Sequence, residues 1–255
     1  MQNFVISLKN SSHRREHILN EFNKHGVTFD FFDALTPDLA LELANKISLN
    51  VTNSSLGGRE LACFMSHVAI WQKVIQEKIP YVAVFEDDIY LGQNSAHFLN
   101  NFSWIHGGWN IIKIEAFAKK VWVGKEKLVI DNSDRYLKYL NGDNLGTAGY
   151  ILSYDGAKEY LAYVLSNPVC PLDEMLFYKF PRKNKNKVLQ MCPALCIQEM
   201  NLYPEISVMS STIVEERRAR MKKNKKTGIQ KVKHEMVRIY EHIMKVFYAE
   251  EIKFK

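Results

Sequence analysis

At 255 residues with 47% hydrophobic content, the chain can bury a real core as one large or two small domains. No Gly/Ser/Pro-rich linker, low-complexity tract, internal repeat or membrane-length apolar window interrupts it. The net charge of +6 is uneven: residues 215–255 carry 13 Lys/Arg against 6 Asp/Glu, leaving 21 against 22 elsewhere. A near-neutral body lacks the basic groove a nucleic-acid enzyme needs, so no nucleic-acid partner is expected.

Asn3–Leu8 predicts a first strand, and the polar turn Lys9-Asn10-Ser11-Ser12 offers N-cap chemistry for a helix with Ile18, Leu19 and Phe22 on one face. Arg14 and Arg15 near that helix start oppose its dipole, which suits either an anionic ligand or two solvated surface arginines. Gly26 closes the helix and Val27–Phe32 predicts a second strand, a β-α-β order that suggests a parallel sheet. Residues 37–56 are a less regular insertion. From Gly57-Gly58-Arg59, the residues Leu61, Phe64, Met65, Val68, Trp71 and Ile75 fall at helical spacing. Arg59 at that helix start could receive phosphate or hydroxyl groups, and His67 is expected to be a buried structural histidine.

Tyr81–Phe85 then predicts a buried strand that ends in Glu86-Asp87-Asp88. Three adjacent carboxylates repel one another and cost solvation unless a cation sits among them. Hard divalent ions take such oxygen ligands together with substrate phosphates, and open α/β sheets bind ligands at strand carboxyl ends. An acidic loop capping a strand in water is the plain alternative. Asn110–Glu115 predicts another buried strand, ending near Lys113 and Glu115, and residues 119–140 suit an antiparallel excursion. The small residues of Gly146-Thr147-Ala148-Gly149 imply close approach to the backbone, by a ligand or by a packed strand. Asp173 and Glu174 fall in the first turn of a short helix, where the dipole stabilises carboxylates; a general base is the sharper reading. Ala194–Gln198 predicts the last strand. Cys63, Cys170, Cys192 and Cys196 show no CxxC spacing, and the N-terminus has no secretion-signal pattern, so reduced thiols and a cytoplasmic location are expected.

The order of these features resembles glycosyltransferase family 25, whose bacterial members build lipooligosaccharide and lipopolysaccharide. The resemblance rests on Val5-Ile6-Ser7-Leu8 with Arg14-Arg15 and on Gly58-Arg59-Glu60 with Cys63, Ser66-His67 and Trp71. Phe85-Glu86-Asp87-Asp88-Ile89, Gly146–Tyr150, Pro171-Leu172-Asp173-Glu174 and Pro193 with Gln198 complete it, over residues 2–200. It implies a GT-A-like α/β fold, with a mostly parallel central sheet and helices on both faces. Residues 1–205 would form the catalytic domain and residues 206–255 a basic amphipathic helical tail.

The resemblance further implies a UDP-hexose donor (galactose favoured, then glucose), a Mn²⁺ or Mg²⁺ ion, and inversion at the anomeric carbon. Asp88 would be the main metal ligand, with Glu86 and Gln198 as further ligands. Ser7, Arg14, Arg15, Arg59, Glu86, Asp87, Lys113, Thr147 and Gly149 would line the sugar nucleotide. Asp173 would be the catalytic base with Glu174 as runner-up, and Thr147 would influence the choice of hexose. The acceptor would be a lipooligosaccharide. In the tail, Arg217, Arg218, Arg220, Lys222, Lys223, Lys225 and Lys226 precede Met236, Ile239, Tyr240, Ile243, Met244, Phe247 and Tyr248 at helical spacing. Such a segment reads as binding the anionic inner face of the cytoplasmic membrane, or packing on the body or a second subunit. A metal-dependent nuclease or phosphodiesterase and a non-catalytic UDP-sugar binding module are the competing readings.

Overall fold

The computed structural model describes residues 1–51, 54–184, 187–205 and 228–255; the basic run from Arg217 to Lys226 lies outside the described residues. The chain opens with β1 (Gln2–Ser7), α1 (Ser12–Lys24), β2 (Asp30–Asp33), α2 (Pro37–Lys46), α3 (Gly58–Gln76), β3 (Tyr81–Glu86) and β4 (Ile89–Leu91). Next come α4 (Ser95–Leu99), β5 (Ile111–Lys113), β6 (Glu115–Ala116), β7 (Lys120–Trp122), β8 (Leu128–Val129), β9 (Tyr136–Tyr139) and β10 (Gly149–Ser153). The second half holds α5 (Tyr154–Ser166), α6 (Leu172–Glu174), a π-helical turn (Met175–Lys179), α7 (Phe180–Asn184), β11 (Leu189–Cys192), β12 (Cys196–Gln198) and α8 (Glu199–Leu202). It closes with α9 (Gly228–Tyr248) and β13 (Ala249–Glu251).

Eight strands form the central sheet in the order β2-β1-β3-β10-β5-β11-β9-β8. β1 lies parallel to β2 and β3, and β5 parallel to β11, whereas β10 runs antiparallel to both β3 and β5. The sheet is therefore mixed, and the expectation of a mostly parallel one is corrected. The cause is the connection: no crossover helix separates β5 from β10. The chain makes its excursion at the end where β5 finishes and re-enters there, so β10 must run back the other way.

Alternation along the strands divides the core into two layers. Val82, Val84, Tyr150 and Leu152 face one side, against α2, α3 and α5; Ala83, Phe85, Ile112 and Ile151 face the other, against α1 and α4. Helices thus cover both faces, which is why Phe4–Ile6 of β1 and Val82–Phe85 of β3 are unbroken apolar runs rather than alternating. Local chemistry sets the helix ends. Glu60 accepts from the Gly57 amide at 3.2 Å, Ser153 accepts from the Gly156 amide at 2.9 Å, and Gly26 takes φ +63 after α1.

A second, three-stranded sheet (β4-β12-β6) stands beside the first. In it Gln198 is opposite Ile89, one residue beyond the acidic triplet, and the Glu199 amide donates to the Asp88 carbonyl at 2.8 Å. α9 lies on the body through Glu241 to Arg182 (2.7 Å), Lys245 to Asp143 (2.5 Å) and the Tyr240 ring against Trp122. β13 then pairs with β7, and Ile252 is buried beside Val121 and Ala194. The end of the expected tail is thus built into the body. Among the described residues no helix is long and apolar enough to cross a membrane.

Candidate active site

Glu86 is the last residue of β3, so strand geometry delivers its carboxylate to the sheet edge where Asp87 and Asp88 turn the chain into β4. The triplet divides between partners. Asp87 accepts from Arg14 at 2.5 Å across α1, while Gln198 Nε2 donates to Asp88 Oδ1 at 3.2 Å and to Glu86 Oε2 at 3.3 Å. Thr147 Oγ1 donates to Glu86 Oε1 at 2.7 Å. Chain segments around 14, 86–88, 147 and 198 thus meet at one point.

The electrostatics are strained. Burial, and then the Asp88 charge, push the Glu86 carboxyl up to about 8. Burial also raises Asp88, with Arg14 and Gln198 only partly offsetting it. Burial alone would lower Arg14, but the Asp87 charge and hydrogen bond outweigh it and leave the guanidinium pKa raised. Thr147, Gln198 and the Arg14 charge only partly offset the repulsion between Glu86 and Asp88, and this donor set fits a hard divalent cation. Asp88, Glu86 and, with its amide turned over, the Gln198 oxygen could hold one.

Cys63, one turn before His67 on α3, was not singled out as a site residue from sequence. Burial raises its thiol pKa, followed by the charges of Glu86, Asp173, Asp88 and Asp87. Glu86 and Asp173 thus both act electrostatically on the same thiol. Asp173 is half-exposed, its Oδ1 accepting the Glu174 amide at 2.8 Å, and Glu174 pairs with Lys179 at 3.3 Å.

Other expected ligand contacts are engaged in holding the fold. Lys113 is fully buried, donating to Glu115 at 2.7 Å and to the Gly146 carbonyl at 2.6 Å, with its ammonium 4.4 Å from the Phe177 ring centroid. It anchors the loop that carries Thr147. Arg15 pairs with Asp33, donates to the Ser7 carbonyl at 3.0 Å and lies over Phe31, which ties β1 to β2. Ser7 is buried at the end of β1. Arg59 is exposed on the first turn of α3, where Glu60 already engages the Gly57 amide. Gly149 is required by packing: a Cβ there would lie 2.2 Å from Cys196 Sγ. Gly146 has φ +98, and its Cβ would fall 2.6 Å from Phe117. His67 is buried as expected, Nδ1 lying 2.9 Å from the Tyr150 hydroxyl, which also accepts from Trp71 at 3.0 Å.

Known proteins resemble this chain in sequence. The chain is similar to lipooligosaccharide biosynthesis protein lic2B of Haemophilus influenzae, 34% identical over 239 residues, covering 90% of this chain and 88% of that protein. Lacto-N-neotetraose biosynthesis glycosyltransferase LgtE of Neisseria gonorrhoeae is 37% identical over 211 residues, 79% of this chain and 75% of its own. LgtB of Neisseria meningitidis serogroup B, named for the same biosynthesis, is 33% identical over 252 residues, 93% and 91% of the two chains. Among solved structures, a glycosyltransferase involved in the glycosylation of the major capsid of PBCV-1 is similar at a TM-score of 0.42 and 11% identity, covering 86% of this chain and 98% of that one. The family model described as glycosyltransferase family 25 (LPS biosynthesis protein) matches residues 1–176, the span that contains the acidic triplet, Thr147 and Asp173, and this protein belongs to that family.

Proposed function

We propose that this glycosyltransferase moves a hexose from a UDP-sugar to a saccharide acceptor of lipooligosaccharide, with inversion, on a GT-A-like framework. Galactose is the first candidate and glucose the second. The observation that carries this reading is the convergence of Glu86, Asp88 and Gln198 at the carboxyl end of β3. The relatives' names, which concern lipooligosaccharide and lacto-N-neotetraose biosynthesis, support the acceptor class. Family membership sets the phosphodiesterase reading aside.

Asp88 and Glu86, with Gln198, would hold Mn²⁺ or Mg²⁺, which would supply positive charge to offset the diphosphate and make UDP a better leaving group. Arg14, fixed by Asp87, adds positive charge beside the same carboxylates. Thr147 orients Glu86 and forms part of the wall next to the donor sugar. Asp173 accepts the acceptor hydroxyl proton as that oxygen attacks the anomeric carbon from the face opposite UDP. A single displacement of this kind needs one base; Glu174, the other carboxylate of this turn, pairs with Lys179.

The outer side of α9 extends the proposal to location. Met236, Ile239, Ile243, Val246 and Phe247 are all exposed and recur at helical spacing, and the basic run precedes them in sequence. An anionic membrane surface is complementary to both features.

The first experiment is UDP release from a panel of UDP-hexoses with and without Mn²⁺. Metal-dependent release from one donor, lowered at least ~10²-fold in Asp88→Asn and in Asp173→Asn with acceptor present, is the expected result. UDP binding without turnover of any hexose would replace the transferase with a binding module.

A further inference from the structure

Beside the acidic triplet lies a second group of donors with different chemistry. Cys63 and His67 stand at i and i+4 on α3, on one face of the helix. A ligand atom from each and a carboxylate oxygen of Glu86 lie within 4.8 Å of one another. His67 is completely buried, and its Nε2 has no hydrogen-bond partner among the described residues while Nδ1 is engaged by Tyr150. A buried ring nitrogen with nothing bonded to it costs stability, which calls for a missing partner.

We propose that Cys63, His67 and Glu86 form a second divalent-cation site, selective for a thiophilic ion such as Zn²⁺, which shares Glu86 with the acidic site. The ligand types decide the selectivity. Thiolate and imidazole favour Zn²⁺, whereas the oxygen set of Glu86, Asp88 and Gln198 favours Mn²⁺ or Mg²⁺. Bond lengths near 2.0–2.3 Å around a tetrahedral zinc place its ligand atoms roughly 3.5 Å apart, so the cluster must contract by about 1 Å. On binding, the Cys63 S–H bond breaks, the sulfur forms its bond to zinc and the proton passes to solvent. Because Glu86 cannot serve both ions at full strength, Zn²⁺ weakens Mn²⁺ binding, and the reverse holds equally.

Cobalt(II) titration of the full-length, metal-stripped protein tests the site, since Co²⁺ bound to a thiolate gives a sulfur-to-metal charge-transfer band that Mn²⁺ and Mg²⁺ do not. The band is expected in the wild type and in Asp88→Asn, and is expected to disappear on addition of Zn²⁺. Cys63→Ser removes it. His67→Gln weakens Co²⁺ binding by more than the ~10–100-fold that loss of an outer-shell partner costs. No band in the wild type, or a band that survives Cys63→Ser, overturns the proposal. A measurement on the wild type alone guards against a variant that fails to fold: Zn²⁺, but not Mg²⁺, slows alkylation of Cys63 as mapped on its peptide. Equal alkylation rates with and without Zn²⁺ overturn it as well. The site's existence is independent of the transferase reading, because neither measurement involves a sugar donor.

Discussion

A methyl group at position 149 would meet Cys196 Sγ at 2.2 Å, and both residues belong to strands whose positions are fixed by their neighbours. Gly149→Ala is therefore expected to destabilise the fold by about 1–3 kcal/mol, the usual range for overpacking. Cys196→Ala should restore much of that loss, and denaturant melts of both single variants and the double variant read out the coupling. His67 offers a pH test at the same scale. Burial lowers its pKa from 6.5 to about 3 in the fold. Stability is thus undiminished above the unfolded value and falls as the pH drops toward 3, by about 1.4 kcal/mol per pH unit from this group. His67→Gln should flatten that slope in denaturant melts of metal-free protein taken across the window. Residues of this kind show what a sequence reveals at short range. That His67 is buried followed from its place among the apolar positions of α3, and a glycine at 149 signalled close approach. What approaches was not legible, because Cys196 comes from a strand that the sequence alone does not bring to Gly149.

At the scale of elements, β3 and the triplet that ends it were readable because strand, burial and acidity are contiguous. The direction of β10 was not. Nothing within Gly149–Ser153 encodes parallel or antiparallel pairing, which is set by where the preceding excursion leaves the chain. Arg15 and Lys113 illustrate the same limit: as isolated cations they suit a diphosphate, yet Asp33 and Glu115, brought close by the sheet, engage them first. α9 was legible as an amphipathic helix, and the structure adds its orientation. Glu241 and Lys245 turn inward to ion pairs while Ile243 and Phe247 face out. Replacing Ile243 and Phe247 together by Asp should leave the melting temperature nearly unchanged. It should lower co-sedimentation with vesicles containing anionic lipid by at least ~10-fold, since each substitution removes buried apolar area and adds repulsion. Unchanged vesicle binding, with a shift in oligomeric state instead, would make this face a contact between copies.

Across the whole molecule, the site depends on the assembled sheet. The carboxylates come from β3, the amide from β12, the hydroxyl from the loop before β10 and the guanidinium from α1. A ligand that binds there binds only the folded chain. Mn²⁺ with UDP at ~100 times its dissociation constant should raise the melting temperature by about 5–10 °C, and Asp88→Asn should abolish most of that rise.

The distance between Asp88 and Gln198 along the chain has a consequence during synthesis. These partners are separated by 110 residues. At roughly 5–20 residues per second, the ribosome leaves Glu86-Asp87-Asp88 without its amide partner for about 5–20 seconds. Throughout that interval the β3 edge carries three acids and no finished cradle. The cradle around Asp88 is therefore complete only once Gln198 has emerged.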